Sequence, residues 1–451
     1  MLNRKEFFGH AVRLAIPIMI QNLIGTLVNT ADTVMLGYVS QEAMSAASLA
    51  NQFTFVLFCF YFGLSTATSV LVAQYYGKDD KRAIEKVIGI GLRFALITSL
   101  IFTFIGVWGS GHVMYLFTNS PVTIELGREY IKIISLGFVF YGVSQVYTSA
   151  LRSMGKVIIP SVVYIVSLCV NVCINAIFIF GLFGAPKMGV TGVAIGTVTA
   201  RVVEFIICLV HSISSRDVKM RVKYIFEKAG VLLGDYVKIG APSIGNDMVW
   251  SLATSVFAAI LGHIGDDMVA ANAVAIMVVN IGAVTSRGFS GATTIVVSQS
   301  LGANDIEEAK VYGGRMLWIT IAFCLLGGGI IMLIRPFMMN FYSDKLSETA
   351  VMYLGYIMIM TTWRLLGEGI NTCLICGCFR GGGDSKFGMI CDTFFMWVVA
   401  VPLMAIGAYV LKLPPLWVYF IMSLDEFYKL PVVLIHYKKY NWLTNITRDE
   451  I

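Results

Sequence analysis

Gly63-Leu-Ser-Thr-Ala-Thr-Ser-Val-Leu-Val-Ala-Gln-Tyr-Tyr-Gly77 returns later in the chain as Gly288-Phe-Ser-Gly-Ala-Thr-Thr-Ile-Val-Val-Ser-Gln-Ser-Leu-Gly302. Gly63, Ser65, Ala67, Thr68, Val72, Gln74 and Gly77 are matched by the same residue types at Gly288, Ser290, Ala292, Thr293, Val297, Gln299 and Gly302. Outward from this stretch, Pro17 to Gly77 lies over Pro242 to Gly302 without a gap. A second echo sets Leu151-Arg-Ser-Met-Gly-Lys156 against Phe379-Arg-Gly-Gly-Gly-Asp384. A chain built from two copies of one largely apolar unit is a recurrent construction among secondary transporters.

The composition agrees. Hydrophobic residues make up 57% and charged residues 13% of 451, and the mean hydropathy is +0.78, far from the balance of a soluble domain. A spanning helix needs roughly 20 apolar residues. Read by that length, spans fall near 11–36, 47–73, 88–108, 130–150, 158–181 and 189–211. The second half gives 237–261, 270–298, 314–334, 350–377, 388–411 and 416–436. The fold class is therefore an all-α membrane protein of twelve transmembrane helices, six in each half. Expected boundaries are an N-lobe at 1–212, a connecting segment at 213–236 and a C-lobe at 237–451.

Positive loops stay in the cytoplasm. Arg4, Lys5 and Arg13, then Lys78 to Lys86, Arg152 with Lys156, Arg216 to Lys238, Lys310 with Arg315, Arg380 with Lys386 and the tail residues Lys438, Lys439 and Arg448 alternate with loops carrying only Arg128, Lys132, Lys187, Arg335, Lys345 and Lys412. Both termini are thus expected in the cytoplasm of a multi-pass plasma-membrane (inner-membrane) protein. Six spans per half set the halves in the same direction, related by a pseudo-two-fold axis along the membrane normal. The net charge of +6 is a topology signal and does not point to nucleic acid. The first span is too long for a cleaved signal peptide. Cys373, Cys376 and Cys378 have metal-like spacing but lie on one span without a companion Cys-x-x-Cys or a nearby His, so packing is the expected role and no metal is expected. Gly381-Gly-Gly-Asp384 lacks the Lys-Ser/Thr of a phosphate loop. No catalytic constellation emerges, which leaves an ion gradient as the energy source.

In order along the chain, Pro17 precedes Asn29-Thr-Ala-Asp32-Thr-Val-Met-Leu-Gly37, and Gln74-Tyr-Tyr-Gly77 ends the second span. Arg152-Ser-Met-Gly155 and Arg380-Gly-Gly-Gly-Asp384 close the fourth and tenth. Asn171-Val-Cys-Ile-Asn175 leads into Phe178-Ile-Phe-Gly181, and Gly189-Val-Thr-Gly-Val-Ala-Ile-Gly196 opens the sixth. Together these resemble the multidrug and toxic compound extrusion (MATE) family, over essentially the whole chain. The resemblance implies two six-helix lobes around a central cavity and a cation-coupled antiporter for organic, often cationic and aromatic, compounds. It also implies a protonation-linked bend of the first span.

Ionisable groups inside a bilayer are functional candidates unless paired. Asp32 has no Lys or Arg within a turn and lies in the outer half of the first span. Burial disfavours its charged form, so H⁺ or Na⁺ is the expected coupling ion, with no other cofactor. The alternative is a carboxylate held by Asn29 or Thr33 with a structural role only. Asn171 and Asn175 share a face of the fifth span at a depth suited to Asp32. In the DinF-type branch that the chain resembles here, the second of these positions is an Asp, so this chain lacks a two-acid relay. Amide oxygens still suit a hard cation; inter-helix hydrogen bonding is the alternative.

Candidate substrate-cavity residues are Asn29, Gln52, Tyr61, Gln145 and Asn280, among aromatics and methionines such as Phe53, Phe60, Tyr141, Met248, Met277 and Met358. The C-lobe has a separate polar set, Asp247, Arg287, Arg364, Glu368 and Asp392. Arg364 and Glu368 are spaced to neutralise each other, and Arg287 is placed to pair with Asp247 or Asp392. Expected partners are a small organic cation and the lipid bilayer, with the protein a monomer. A flippase for an amphipathic or lipid-linked precursor is the alternative function, but it would want several cavity-facing bases. A channel would not need a titrating carboxylate.

Overall fold

The computed structural model describes residues 2–448 apart from 216, 229 and 345, and leaves the side chains of 29, 30, 33, 34, 279, 281 and 282 outside the description. The doubled stretch ends α2 (Gln41–Gly77) and α10 (Asp266–Gly302), and the structure carries the repeat past both glycines. Asp79 and Asn304 are each left-handed at φ 61°, a conformation that Asp and Asn enter more readily than other non-glycine residues. The next residue, Asp80 or Asp305, caps α3 (Lys81–Tyr115) or α11 (Ile306–Tyr342), its carboxylate accepting from the N–H of Ala83 or Glu308. Each cap satisfies an orphan donor and contributes about 1 kcal/mol.

The second echo behaves alike. Gly155 and Gly383 take φ of 74° and 86°, which glycine adopts without a Cβ penalty. The Lys156 and Asp384 N–H groups donate back to Leu151 and Phe379 at 2.9 and 2.8 Å. These turns close α5 (Phe138–Ser153) and the π-helical stretch Thr372–Phe379 that continues α12 (Glu348–Asn371). Hydroxyl-to-carbonyl hydrogen bonds tie each doubled stretch to the same partner, given by the partner in the first half and by the doubled stretch in the second. Ser149 Oγ donates to the Ser65 carbonyl at 2.8 Å, and Thr294 Oγ1 to the Cys376 carbonyl at 2.9 Å. Small hydroxyl residues of this kind hold helices together where lipid gives no hydrophobic driving force.

The remaining helices are α1 (Arg4–Gly37), α4 (Pro121–Ser135), α6 (Ile158–Phe180), α7 (Gly189–Ser214), the short α8 (Val222–Phe226), α9 (Gly230–Ile264), α13 (Ser385–Thr393), α14 (Val401–Ala405), α15 (Pro415–Ser423) and α16 (Asp425–Lys439). Among the described residues nine helical runs are long and apolar enough to cross a membrane, and two bent pairs raise this to eleven; α4 and α5 meet at 50°. The expected twelfth span, 416–436, is α15 with α16. Asp425, Glu426 and Lys429 keep it from reading as apolar, and all three are buried. Helices run past the apolar windows at both ends because polar and charged residues extend them beyond the hydrocarbon. Outward faces carry large apolar side chains such as Leu100, Trp108, Trp318 and Leu333, as a lipid-facing surface requires. The protein is an all-α, multi-pass membrane protein.

Two compact units form, and their boundaries cut through helices. One comprises the residues up to Met19 with Ala241–Ile446; the other comprises Ile20–Gly240 with the residues from Thr447 onward. The boundaries 1–212 and 237–451 follow the repeat, whereas packing divides α1 and α9. The divisions fall beside Pro17 and Pro242, which the repeat equates and whose missing N–H removes a helical hydrogen bond. The connecting segment is also part of a unit. Arg93 on α3 donates to the Ile225 and Glu227 carbonyls, and Glu85 accepts from the Lys219 N–H at 3.1 Å.

Candidate functional site

Within the Ile20–Gly240 unit, α1 brings Asp32, α6 brings Asn171 and Asn175, and α7 brings Thr197 into one buried cluster. Asn175 Nδ2 donates to Asp32 Oδ1 at 2.6 Å, and Thr197 Oγ1 donates to Asp32 Oδ2 at 3.3 Å. Asn171 Nδ2 donates to Thr197 Oγ1 at 3.2 Å, while its Oδ1 stands 3.4 Å from Asn175 Nδ2. The single Thr197 proton has a second acceptor, the Val193 carbonyl at 3.1 Å. The approach of α6 to α7 depends on Gly196, where a Cβ would stand 2.1 Å from Asn175 Oδ1. Among the described residues Asp32 has no ion-pair partner. Neutral amide and hydroxyl dipoles solvate the carboxylate.

Asp32 and Thr197 line a cavity of about 240 Å³. Gln52 and Tyr141 line it too, with Phe55, Phe58, Tyr130 and Phe138 as its aromatic walls. Tyr61 lies deeper: its hydroxyl donates to the Phe138 carbonyl at 2.9 Å, and its ring meets Tyr141 edge-on at 5.5 Å. Gln145 is fixed between two tyrosines, donating to Tyr141 and accepting from Tyr164 at 2.8 Å. Asn280 is exposed on α10 in the other unit. Asn29 and Thr33 lie outside the described residues.

Two residues on this cavity's helix were missed by the sequence reading. Arg201 lines the cavity, its Nη1 pairs with Glu204 Oε1 at 2.8 Å, and its guanidinium sits 4.1 Å above the Tyr141 ring. The available signal was an Arg and a Glu spaced i, i+3 within the apolar span 189–211, the same kind of intramembrane charge that singled out Asp32.

The C-lobe charges pair otherwise than spacing suggests. Asp247 meets Arg380 at 3.2 Å, Asp392 meets Lys429 at 2.8 Å, and Arg364 meets Asp425 at 3.5 Å. Lys429 also reaches Glu426 at 3.1 Å, and Asn371 Nδ2 donates to Glu426 Oε2 at 2.8 Å. Arg287 is exposed and at ion-pair distance from neither Asp247 nor Asp392; Glu368 is not at that distance from Arg364. Local spacing cannot foresee these partners, because α16 supplies two of them from far along the chain. Arg380, counted above with a positive loop, is buried. Cys373 and Cys378 are buried where the π-helical stretch packs, with Cys373 Sγ 3.6 Å from Thr293 Oγ1.

The MatE family model matches residues 17–177 and 242–406, opening at the two prolines where the internal repeat opens. The probable multidrug resistance protein YoeA of Bacillus subtilis (strain 168) is 25% identical over 412 residues, covering 90% of this chain and 88% of that protein. The probable multidrug resistance protein NorM of Thermotoga maritima is 26% identical over 455 residues, covering 99% and 95%. The solved outward-facing conformation of a multidrug resistance MATE family transporter of the MOP superfamily superimposes with a TM-score of 0.86, at 21% identity and 96% coverage of each chain. At that identity the likeness is one of fold. With a family match over most of its length and in both halves, the chain belongs to the MatE family.

Proposed function

We propose that this protein is a cation-coupled antiporter that exports organic, lipophilic cations by alternating access, with Asp32 as the coupling-ion site. The observation that carries the reading is a buried carboxylate in a cavity wall, held by Asn175 and Thr197 and by no base. A group so placed gains most from a cation, and H⁺ or Na⁺ would compete there with a positively charged substrate. Competition for one negative charge couples the two fluxes: the ion entering from outside displaces the substrate, and the substrate reloaded from inside displaces the ion. Asn171 has the position to orient Asn175 and Thr197 as the charge changes, and no cofactor beyond the ion is called for. The multidrug-resistance names of the relatives support a small-molecule substrate over a lipid-linked precursor. A flippase would also want an excess of bases at the cavity, whereas Arg201 is balanced by Glu204. The reading places the protein in the inner (plasma) membrane with both termini cytoplasmic, working as a monomer.

The test is uptake of a fluorescent lipophilic cation into liposomes containing the purified protein, under a sodium gradient or a pH gradient alone. Accumulation against the dye gradient under one of them, lost in Asp32→Asn, is the expected result and names the ion. Equal behaviour of wild type and variant under both would refute the assignment.

A further inference from the structure

The short helix α8 packs where the charged start of α3 gives way to its apolar run. A Cβ at Gly89 would stand 2.6 Å from Tyr224 Cβ, so α8 sits directly on α3, and Arg93 of α3 donates to the Ile225 and Glu227 carbonyls at its far end. Beyond Arg93, α3 has no further Asp, Glu, Lys or Arg. The exposed apolar residues of α7 likewise run to Ile213, one residue short of that helix's end. Tyr224 packs inward, while Val222 and Phe226, one turn apart on the opposite face, are 68% and 82% exposed. The charges nearby are lopsided. Each acid of the segment is met by a base from elsewhere in the same unit: Glu227 by Lys86 at 3.2 Å, Asp217 by Lys156 and Lys81, and Asp235 by Arg448 at 2.8 Å. Arg221 is taken by Glu85 of α3. Lys219, Lys223 and Lys228 are exposed, and among the described residues none of them is at ion-pair distance from an acid.

We propose that α8 is an interfacial lipid-binding helix: Lys219, Lys223 and Lys228 hold the headgroups of anionic phospholipids, and Val222 and Phe226 enter the acyl region of the same leaflet. Charge complementarity selects this occupant. A zwitterionic headgroup carries its own cation and gains little from three unpaired ammonium groups, whereas each Lys near an anionic lipid surface adds an attraction that salt screens. Large apolar residues on one face, flanked by lysines, are the pattern of a helix that lies in the plane of the interface. A soluble acidic protein would account for the lysines but not for exposed apolar residues at the membrane boundary. The anchoring of α8 to α3 through Tyr224 and Arg93 fixes which face it presents, so the site is built into the fold. The inference depends neither on the transporter reading nor on the identity of the coupling ion.

Amide hydrogen exchange, read by mass spectrometry on the full-length protein, tests this in vesicles of phosphatidylcholine alone and of phosphatidylcholine with about one-third phosphatidylglycerol. The segment 217–228 is expected to exchange about tenfold more slowly with the anionic lipid, and high salt to remove most of that difference. Lys219→Gln/Lys223→Gln/Lys228→Gln should lose the difference and Lys219→Arg/Lys223→Arg/Lys228→Arg should keep it, with exchange in α11 unchanged in both as the check on folding. If the glutamine variant fails that check, the salt dependence of the wild type decides the same question. Equal exchange in the two vesicles, or a difference that survives the glutamine changes, overturns the proposal. Phe226→Ser should weaken the protection, and an unchanged result there overturns the seating of the apolar face. Protection by glycerol 1-phosphate in phosphatidylcholine alone would assign the lysines to a soluble phosphate compound, and protection that rises with protein density in that lipid would assign the face to a second copy of the chain. Either result overturns the lipid assignment.

Discussion

The Asp32 cluster and the Asp392–Lys429 cluster sit in the two halves of one repeat and solve the problem of a buried carboxylate in opposite ways. Around Asp32 the partners are an amide and a hydroxyl at 2.6 and 3.3 Å. Around Asp392, Asp425 and Asp247 they are Lys429, Arg364 and Arg380. The repeat conserves what builds the scaffold: the left-handed Asp79 and Asn304, the Asp80 and Asp305 caps, and the hydroxyl-to-carbonyl hydrogen bonds that tie α2 to α5 and α10 to the π-helical stretch. It does not conserve the charges, since Asp32 aligns with Phe257 and Asp247 with Asn22. Duplicated packing with unduplicated electrostatics separates the shared scaffold of the two halves from the one carboxylate, Asp32, to which we assign ion exchange.

The largest contrast should appear in stability. Lys429→Met strands Asp392 and Glu426 without a counter-charge, and removing one partner of a buried pair costs ~3–5 kcal/mol; thermal unfolding of detergent-solubilised protein should show a large fall in Tm. Asp32→Asn removes a charge that has no base to leave behind, so its stability should stay within about 1 kcal/mol of wild type while gradient-driven uptake falls to background. A Lys429→Met variant as stable as Asp32→Asn would break the comparison.

A steric probe of the same cluster comes next. At Gly196 an added methyl must push Asn175 away, so Gly196→Ala should cost ~1–3 kcal/mol through overpacking and weaken coupling-ion affinity about tenfold, as loss of an orienting partner does. Titrating uptake against external ion concentration checks this. Thr197→Val is a subtler change. It keeps the shape and deletes the donor to Asp32, which should shift the ion's half-saturation about three- to tenfold, in line with a net hydrogen-bond worth of about 1 kcal/mol.

The smallest effect lies outside both clusters. Asp217, in the segment between α7 and α8, is held below the ordinary carboxylate range by the Lys156 ammonium beside it, aided by Lys81. A lowered native value means that its contribution is complete above the unfolded carboxylate pKa of about 3.9 and is lost as pH falls through the native value. Protease cleavage of this segment should therefore be unaffected near neutrality and rise only in acid, and Asp217→Asn should remove the part of that rise that belongs to this residue.

Much of the scaffold could be read from the chain because its determinants are local: apolar length marks the spans, and a repeated Gly63–Gly77 pattern marks the halves. Asp32, Asn171 and Asn175 were also legible, one as an isolated intramembrane acid and two as polar residues a turn apart. Thr197 was not, because a threonine in a helix carries no signal until a carboxylate is placed against it. Arg201 and Glu204 carried the right signal and were passed over inside an otherwise apolar span. The partners of Asp392 and Arg364 come from α16, and that of Asp247 is Arg380 just past the π-helical stretch, all across long separations in sequence, and i, i+4 reasoning points instead to Glu368, which does not pair with Arg364. Asp79 and Asn304 show the converse: different residues in sequence, the same backbone in the fold, because both tolerate a positive φ.

The central claim is that one ion and the substrate's positive charge compete for Asp32. Equilibrium binding of a monocationic dye to purified protein, titrated at varied sodium concentration at fixed pH and at varied pH without sodium, tests it most directly. The account predicts that one of the two ions weakens dye binding to wild type as a simple competitor, tenfold more ion raising Kd about tenfold once the site is saturated, and that Asp32→Asn binds dye with no dependence on that ion. Dye binding that responds to neither ion, or that responds identically in wild type and Asp32→Asn, would contradict it.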